Sequence, residues 1–298
     1  MKKVPIVYSD IYNVKFFGVE KLHPFDSCKY NKIANAVGDG RELVSVDRAV
    51  TNEELLKVHT EKYLADLQSS WKVAQICELP PLAVMPFFLI QKHVLTPMRW
   101  QVRGTVLAGE LAMQQGWSIN LGGGMHHAGP GEASGWCVYA DIFLCLENLR
   151  EKNFARTAMI IDLDVHQGNG LGHSKLALSE SDSVYILDFY NPAIYPQDNT
   201  AKKAINQQWH VTKGTVDEVY LEALQAALRD AFDQFVPDIV IYNAGTDILQ
   251  GDPLGGGVSI TPVGVTRRDA LVFKSCLERR IPISMVLSGG DKNQAPPT

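Results

Sequence analysis

Between positions 162 and 170 the chain reads Asp-Leu-Asp-Val-His-Gln-Gly-Asn-Gly. In extended backbone, residues two apart face the same way, so Asp162, Asp164 and His166 can share a direction. Two carboxylates and an imidazole form a donor set suited to zinc or another divalent metal. Standing alone, the motif reads equally well as two helix caps and a satisfied loop histidine. A second cluster is Gly122-Gly123-Gly124-Met125-His126-His127. Its glycines let the backbone approach a neighbour or ligand closely, and tandem histidines can be ligands or an acid/base pair. Alone, it is also a flexible turn followed by surface histidines. A third cluster, Asn243-Ala244-Gly245-Thr246-Asp247 followed by Gly251-Asp252-Pro253-Leu254-Gly255-Gly256, adds a carboxylate that by itself reads more simply as a cap.

These clusters must be positioned by something. Trp117–Leu121, Thr157–Leu163, Ser183–Phe189, Asp238–Tyr242 and Ile281–Leu287 are short, rich in Val and Ile, and bounded by Gly, Asp or Asn. They read as buried strands. Between them, Gly104–Gln115, Tyr139–Glu151, Thr215–Phe235 and Pro262–Arg279 read as helices, the last with Thr261 as N-cap and Pro262 at its first position. Apolar strands alternating with helices predict a parallel sheet covered on both faces. Ligands of such sheets bind at the carboxyl ends of the strands. Four strand ends carry polar or glycine-rich sequence: GGGMHH, DVHQGNG, NAGTD and SGGD. They are expected to meet on one rim. In the first hundred residues, Asn52–Ser69 reads as a helix capped by Thr51, and the proline-rich 79–97 segment as a loop.

Composition narrows the function classes. The 298 residues are 46% hydrophobic and 20% charged, with 24 Gly and 15 Pro, which excludes fibrous, mostly disordered and small disulfide-scaffold proteins. Lys and Arg number 28 against 33 Asp and Glu, a net charge of −5, so no basic face for gripping nucleic acid directly is expected. The five cysteines, Cys28, Cys77, Cys137, Cys145 and Cys276, are scattered and odd in number, which suits free thiols in a reducing compartment. No apolar run follows Lys2 and Lys3, and the greasiest stretch, Leu79–Ile90, holds three prolines and is too short to span a bilayer. With no repeat or linker, a soluble, intracellular protein with one α/β domain over residues 1–298 is expected.

Taken together, the motifs are far more specific than any one of them. PIVYS at 5–9, EKLHPFD at 20–26, VHTEKYL at 58–64, INLGGGMHH at 119–127, IDLDVHQGNG at 161–170, Phe189–Pro196, YNAGTDILQGD at 242–252 and LSGG at 287–290 stand in one order. In this the sequence resembles the zinc-dependent histone deacetylase family, in particular its class IV, the histone deacetylase 11 branch, over roughly residues 5–290. The resemblance implies an arginase/deacetylase-like α/β fold with a largely parallel central sheet. It implies Asp164, His166 and Asp247 as ligands of one catalytic Zn²⁺, and potassium as a candidate structural ion. His127 matches the general base, and His126 the neighbour that stabilises charge and delivers a proton to the leaving lysine amine. Asp162 stands behind His126 and Asn169 behind His127. A carboxylate favours imidazolium more than an amide does, so His127 is expected to be the more readily neutral ring. Gly135, Trp136, Tyr195 and Gly290 match the walls of an acyl-lysine tunnel. The implied substrates are acylated lysines of histones or other proteins, with long-chain fatty acyl favoured over acetyl. Co-regulator partners and a nuclear or cytoplasmic location are implied as well. His23, His59, His93, His173 and His210 match no catalytic motif and read as structural or exposed.

After Gly290 the family pattern continues into a tyrosine that donates to the developing oxyanion; here the residue is Asp291. An ionised aspartate accepts hydrogen bonds and donates none. The chain then reads Lys-Asn-Gln-Ala-Pro-Pro-Thr, where family members run on into a further helix, so a shortened variant with a divergent 291–298 tail and weakened activity is expected. The other expectation is a non-catalytic, zinc-binding regulatory relative that binds acyl-lysine.

Overall fold

The computed structural model describes residues 4–38, 42–180 and 182–290. Asp291 and the tail after it lie outside the described residues. The strands are β1 (Ile6–Tyr8), β2 (Val44–Ser45), β3 (Trp117–Asn120), β4 (Ala158–Asp162), β5 (Val184–Tyr190), β6 (Gln207–His210), β7 (Ile239–Asn243) and β8 (Ile283–Val286). The helices are α1 (Lys29–Val37), α2 (Asn52–Leu55), α3 (Glu61–Asp66), α4 (Ser70–Ile76), α5 (Phe87–Ile90), α6 (Thr96–Gln115), α7 (Asp141–Glu151), α8 (Asn169–Ala177), α9 (Asp217–Gln234) and α10 (Pro262–Glu278). The eight strands form one sheet in the order β2-β1-β3-β8-β7-β4-β5-β6, with every pair parallel. This is the α/β architecture the alternation of strands and helices predicts.

Period-two alternation along the central strands explains why both faces are covered. In β4, Ala158 and Ile160 face one core together with Val102, Val106, Phe143 and Leu146 of α6 and α7. Met159 and Ile161 face the other, with Leu224 and Leu228 of α9 and Val272 and Cys276 of α10. Each such side chain taken fully out of water contributes roughly 1.5–3 kcal/mol. Among the described residues, no helix is long and apolar enough to cross a membrane. All five thiols are free, and four are buried.

The strand order places the site. The chain builds β1, β2 and β3 on one side, crosses to β4, moves outward through β5 and β6, then returns to lay β7 and β8 into the middle. The four ends with distinctive sequence, those of β3, β8, β7 and β4, are therefore consecutive neighbours.

Two readings of the first hundred residues need correction. The 79–97 segment is not a loop: it holds a 3₁₀ turn at Pro80–Val84, then α5, then a π-helical turn at Gln91–Leu95 that runs straight into α6. Its prolines do not break this path: Pro80 opens the 3₁₀ turn, Pro86 stands just before α5, and Pro97 follows the π-helical turn, where the hydrogen-bond register shifts to Thr96 N on Gln91 O. Ile90, Val94, Met98, Val102 and Val106 recur every fourth residue and are buried, so α6 begins before Gly104. The 52–69 helix is two helices. Thr51 closes a capping box on α2, and Thr60 accepts from Tyr63 N to start α3, so the chain restarts between them. Strands β1, β2 and β6 and helix α8 were not read from sequence.

Candidate active site

Strand β4 ends at Asp162, so the 162–166 run leaves the extended conformation at its first residue and its three side chains do not share one direction. Asp162 turns to His126, its Oδ2 2.8 Å from Nδ1, while its Oδ1 accepts from Asn243 Nδ2 at 2.8 Å. Asp164 and His166 turn the other way. His166 Nδ1 lies 3.1 Å from Asp164 Oδ1 and 3.0 Å from Asp247 Oδ2, and the three donor atoms fall within 4.8 Å of one another.

This convergence suits a metal. One ring nitrogen aims at two carboxylate oxygens, all three residues are buried or nearly so, and none of the described ion pairs brings Lys or Arg to Asp164 or Asp247. Buried carboxylates so placed call for a cation. Burial and the Asp164 charge push Asp247 up to about 7. Burial alone would raise Asp164, but His126 and His166 outweigh it and hold it well below the usual carboxylate range. Oxygen and nitrogen donors of three protein residues match a catalytic zinc centre, which keeps further positions open.

Both carboxylates of this cluster are held from behind. Asp164 Oδ2 accepts from Gly289 N at 3.0 Å and lies 3.0 Å from Ser288 Oγ, while Asp164 Oδ1 accepts from His166 N at 3.0 Å. Asp247 Oδ1 accepts from Val165 N at 2.9 Å. A side chain at Gly245 would put its Cβ 2.3 Å from Asp164 Oδ2, so only glycine lets these two loops meet.

The tandem histidines stand over this centre with ring centroids 4.1 Å apart. The turn before them uses left-handed backbone at Gly123 and Gly124, with φ of 76° and 78°. Asp141 at the start of α7 secures it, accepting from Gly124 N at 2.9 Å and Met125 N at 2.8 Å. His127 Nδ1 lies 2.7 Å from Asn169 Oδ1, at the first residue of α8. Burial would depress His126, but Asp162 and then Asp164 outweigh it and carry its pKa up to about 9. Burial, with His126 and His166 nearby, holds His127 well below an ordinary histidine. Burial depresses both rings alike, and the asymmetry has the expected sign because Asp162 and Asp164 outweigh burial at His126 while the Asn169 amide does not at His127.

A cavity of about 510 Å³ opens onto these groups. Gly135, Trp136, Tyr195 and Gly290 all line it. Tyr195 is about half exposed, with its ring 5.2 Å from His127 and its hydroxyl on Ser134. Gly135 presses its backbone against His127, where a Cβ would come 2.7 Å from the ring. Trp136 is buried and meets His23 at 5.5 Å and Phe25 at 5.7 Å. His23 thus belongs to the cavity wall, which its sequence context did not signal. Buried Val14, Tyr30, Met98 and Met125 add apolar lining, interrupted by buried Ser27 and Gln101. His59 is structural as expected, its Nε2 accepting from Ala140 N at 3.0 Å.

Sequence reasoning also missed Asp141, Asp188, Ser288 and Arg268. Asp141 and Asp188 are fully buried acids, and Asp188 follows three apolar residues of β5, a weak signal of a polar task inside the core.

A sequence profile of the histone deacetylase domain matches residues 23–296. Histone deacetylase 2 of Arabidopsis thaliana is 47% identical over 294 residues, which cover 97% of this chain and 75% of that protein. Histone deacetylase 8 of Xenopus tropicalis is 26% identical over 287 residues, covering 91% of this chain and 74% of that protein. The crystal structure of the HDA15 HD domain superposes with a TM-score of 0.75 over 97% of this chain and 86% of that one, at 20% identity, which shows a shared fold. The matched profile takes in every residue of the buried acid–histidine centre, and on these grounds the chain belongs to the histone deacetylase family.

Proposed function

We propose that the protein is a zinc-dependent hydrolase that removes acyl groups from lysine side chains, and that it favours long acyl chains. The observation that carries this is the convergence of His166 with Asp164 and Asp247 directly beneath two histidines of opposite protonation tendency. Asp164, His166 and Asp247 would hold the zinc, which when bound supplies Lewis acidity toward an acyl carbonyl and water. The chain's own residues do the rest. Trp136, Tyr195 and Gly135 enclose the lysine stem and exclude water. His127, kept neutral, takes the proton of the attacking water at Nε2, while Asn169 fixes its ring through Nδ1. His126, kept charged by Asp162, stabilises negative charge on the acyl oxygen and gives its own proton to the amine as the C–N bond breaks, while His127 retains the proton taken from water.

The acyl-length reading rests on the cavity. The lining of its space of about 510 Å³ includes Val14, Tyr30, Met98 and Met125, apolar side chains that suit a hydrocarbon chain beyond the lysine stem. This agrees with the class IV resemblance. Asp188 Oδ1 is buried without a hydrogen-bond partner near the Asp162 charge, and we assign the candidate potassium to that acid pair.

Asp291 favours a second reading, a relative that holds acyl-lysine with little turnover. Losing one oxyanion donor costs about 10²–10³ in rate. Purified protein with measured zinc content, given acetyl- and myristoyl-lysine peptides, decides between them. Turnover that favours myristoyl and rises in Asp291→Tyr supports the hydrolase. Tight peptide binding with no turnover in either version supports the second reading, and absence of zinc defeats both.

A further inference from the structure

The largest fully buried side chain in the protein is a charged one, Arg268, on α10 with no exposure at all. A buried guanidinium is retained only where its donors are used. Here Nη1 donates to Gly245 O at 2.5 Å and reaches Leu163 O at 3.3 Å, Nε donates to Asp269 Oδ1 at 2.9 Å, and Nη2 makes no hydrogen bond but lies 2.8 Å from the same Asp269 oxygen as an ion pair. Tyr242 of β7 lies under the guanidinium at 5.8 Å and also donates to Asp269, at 2.5 Å.

The two carbonyls matter because each stands just ahead of a metal-ligand residue in the chain. Leu163 immediately precedes Asp164 and lies three residues before His166, and Gly245 lies two before Asp247. One cation therefore grips both loops that carry the ligand set, from two different strands. Gly245 is also the residue whose backbone lies against Asp164, so fixing its carbonyl fixes the surface on which that carboxylate rests.

We propose that Arg268 is a positioning residue: by bridging the main chains at the ends of β4 and β7, it sets the separation of Asp164 and Asp247 and so the tightness of the metal centre. The inference rests on the zinc reading above. A lysine at 268 keeps the charge but cannot hold two carbonyls and Asp269 in one plane, since its single ammonium lacks the planar fork.

The test loads purified wild type, Arg268→Lys and Asp269→Asn with zinc and follows its transfer to a coloured chelator, with melting temperature measured on the same samples. Leu224→Ala, a core change on α9 that removes none of these hydrogen bonds, serves as the control for general loss of stability. We expect Arg268→Lys to release zinc ~10-fold or more faster, within the range for groups that orient ligands. Asp269→Asn is expected to move in the same direction by less, and Leu224→Ala to release zinc as wild type does. Should Arg268→Lys not fold, Asp269→Asn carries the test, and zinc retention equal to wild type overturns the proposal. Release by Leu224→Ala matching that of Arg268→Lys at equal melting temperature overturns it too. Wild type that holds no zinc defeats the metal reading itself and this inference with it. Wild type that holds zinc, with Arg268→Lys holding it as well, defeats this inference alone.

Discussion

The floor and the wall of the cavity are built by different physics. The floor, from the ends of β3, β4, β7 and β8, is a closed set of buried hydrogen bonds in which Asp162, Asp164 and Asp247 each accept from backbone or side-chain donors. The wall around Trp136 and Tyr195 is assembled from loops and held by ring contacts, with Tyr195 reaching solvent. A polar network has few alternative arrangements in a low dielectric, whereas apolar contacts are non-directional and tolerate exchange. The floor is therefore the rigid part of the proposed site, and the wall the adaptable part.

Substitutions at the floor should be the severe ones. His127→Ala removes the base beside the ligands and is expected to lower kcat by about 10²–10⁴ with zinc content unchanged. An effect on KM alone would move His127 to the wall. Asp162→Asn tests the electrostatics. The folded pKa of His126, about 9, stands above its ordinary value of 6.5. Its charged form therefore stabilises the protein below pH 6.5, and that contribution is lost as pH rises through 9. Removing the Asp162 charge should move the alkaline limb of kcat to lower pH by ~1–3 units. A bound divalent cation lowers the starting point of that limb without changing the sign. An unmoved limb would detach His126 from the rate.

The wall should respond more mildly and in a different parameter. Tyr195→Ala is expected to cost about 0.5–1.5 kcal/mol, a several-fold rise in KM at nearly constant kcat. A large fall in kcat would erase the distinction between floor and wall. Gly131 sits on the 129–134 loop with nothing within 4 Å of a Cβ, so Gly131→Ala should leave kcat/KM within about twofold of wild type. A greater change would show that this loop closes on substrate.

The same contrast explains what could be read from sequence. The four strand-end motifs were legible because each pairs a β-rich run with glycine and ligand-type residues, and the rule for parallel sheets sends such ends to one rim. Asp164, His166 and Asp247 lie together there, with His126 and His127 beside them. Segment 79–97 was not legible, because its prolines read as breaks until the fourth-residue spacing of Ile90, Val94, Met98, Val102 and Val106 is followed through them. Arg268 gave no signal: in Thr-Arg-Arg-Asp nothing local tells which arginine turns inward, and Arg267, its neighbour, is half exposed and paired with Glu218. His23 reached the wall by long-range packing on Trp136, a contact that no spacing encodes.

The position of β8 has a consequence for how the molecule is made. It is the last strand of the eight in chain order, yet it lies between β3 and β7, pairing with both. Until residues 283–286 are available, β3 and β7 each lack the neighbour that joins them in the finished sheet. The loop carrying Ser288 and Gly289 is synthesised later still, so Asp164 waits without two of its neighbours while over a hundred residues are added. Pairings at such sequence separation form slowly. A nascent chain of this design is therefore exposed to edge-to-edge association for most of its synthesis, and its dependence on chaperones should fall abruptly once β8 inserts.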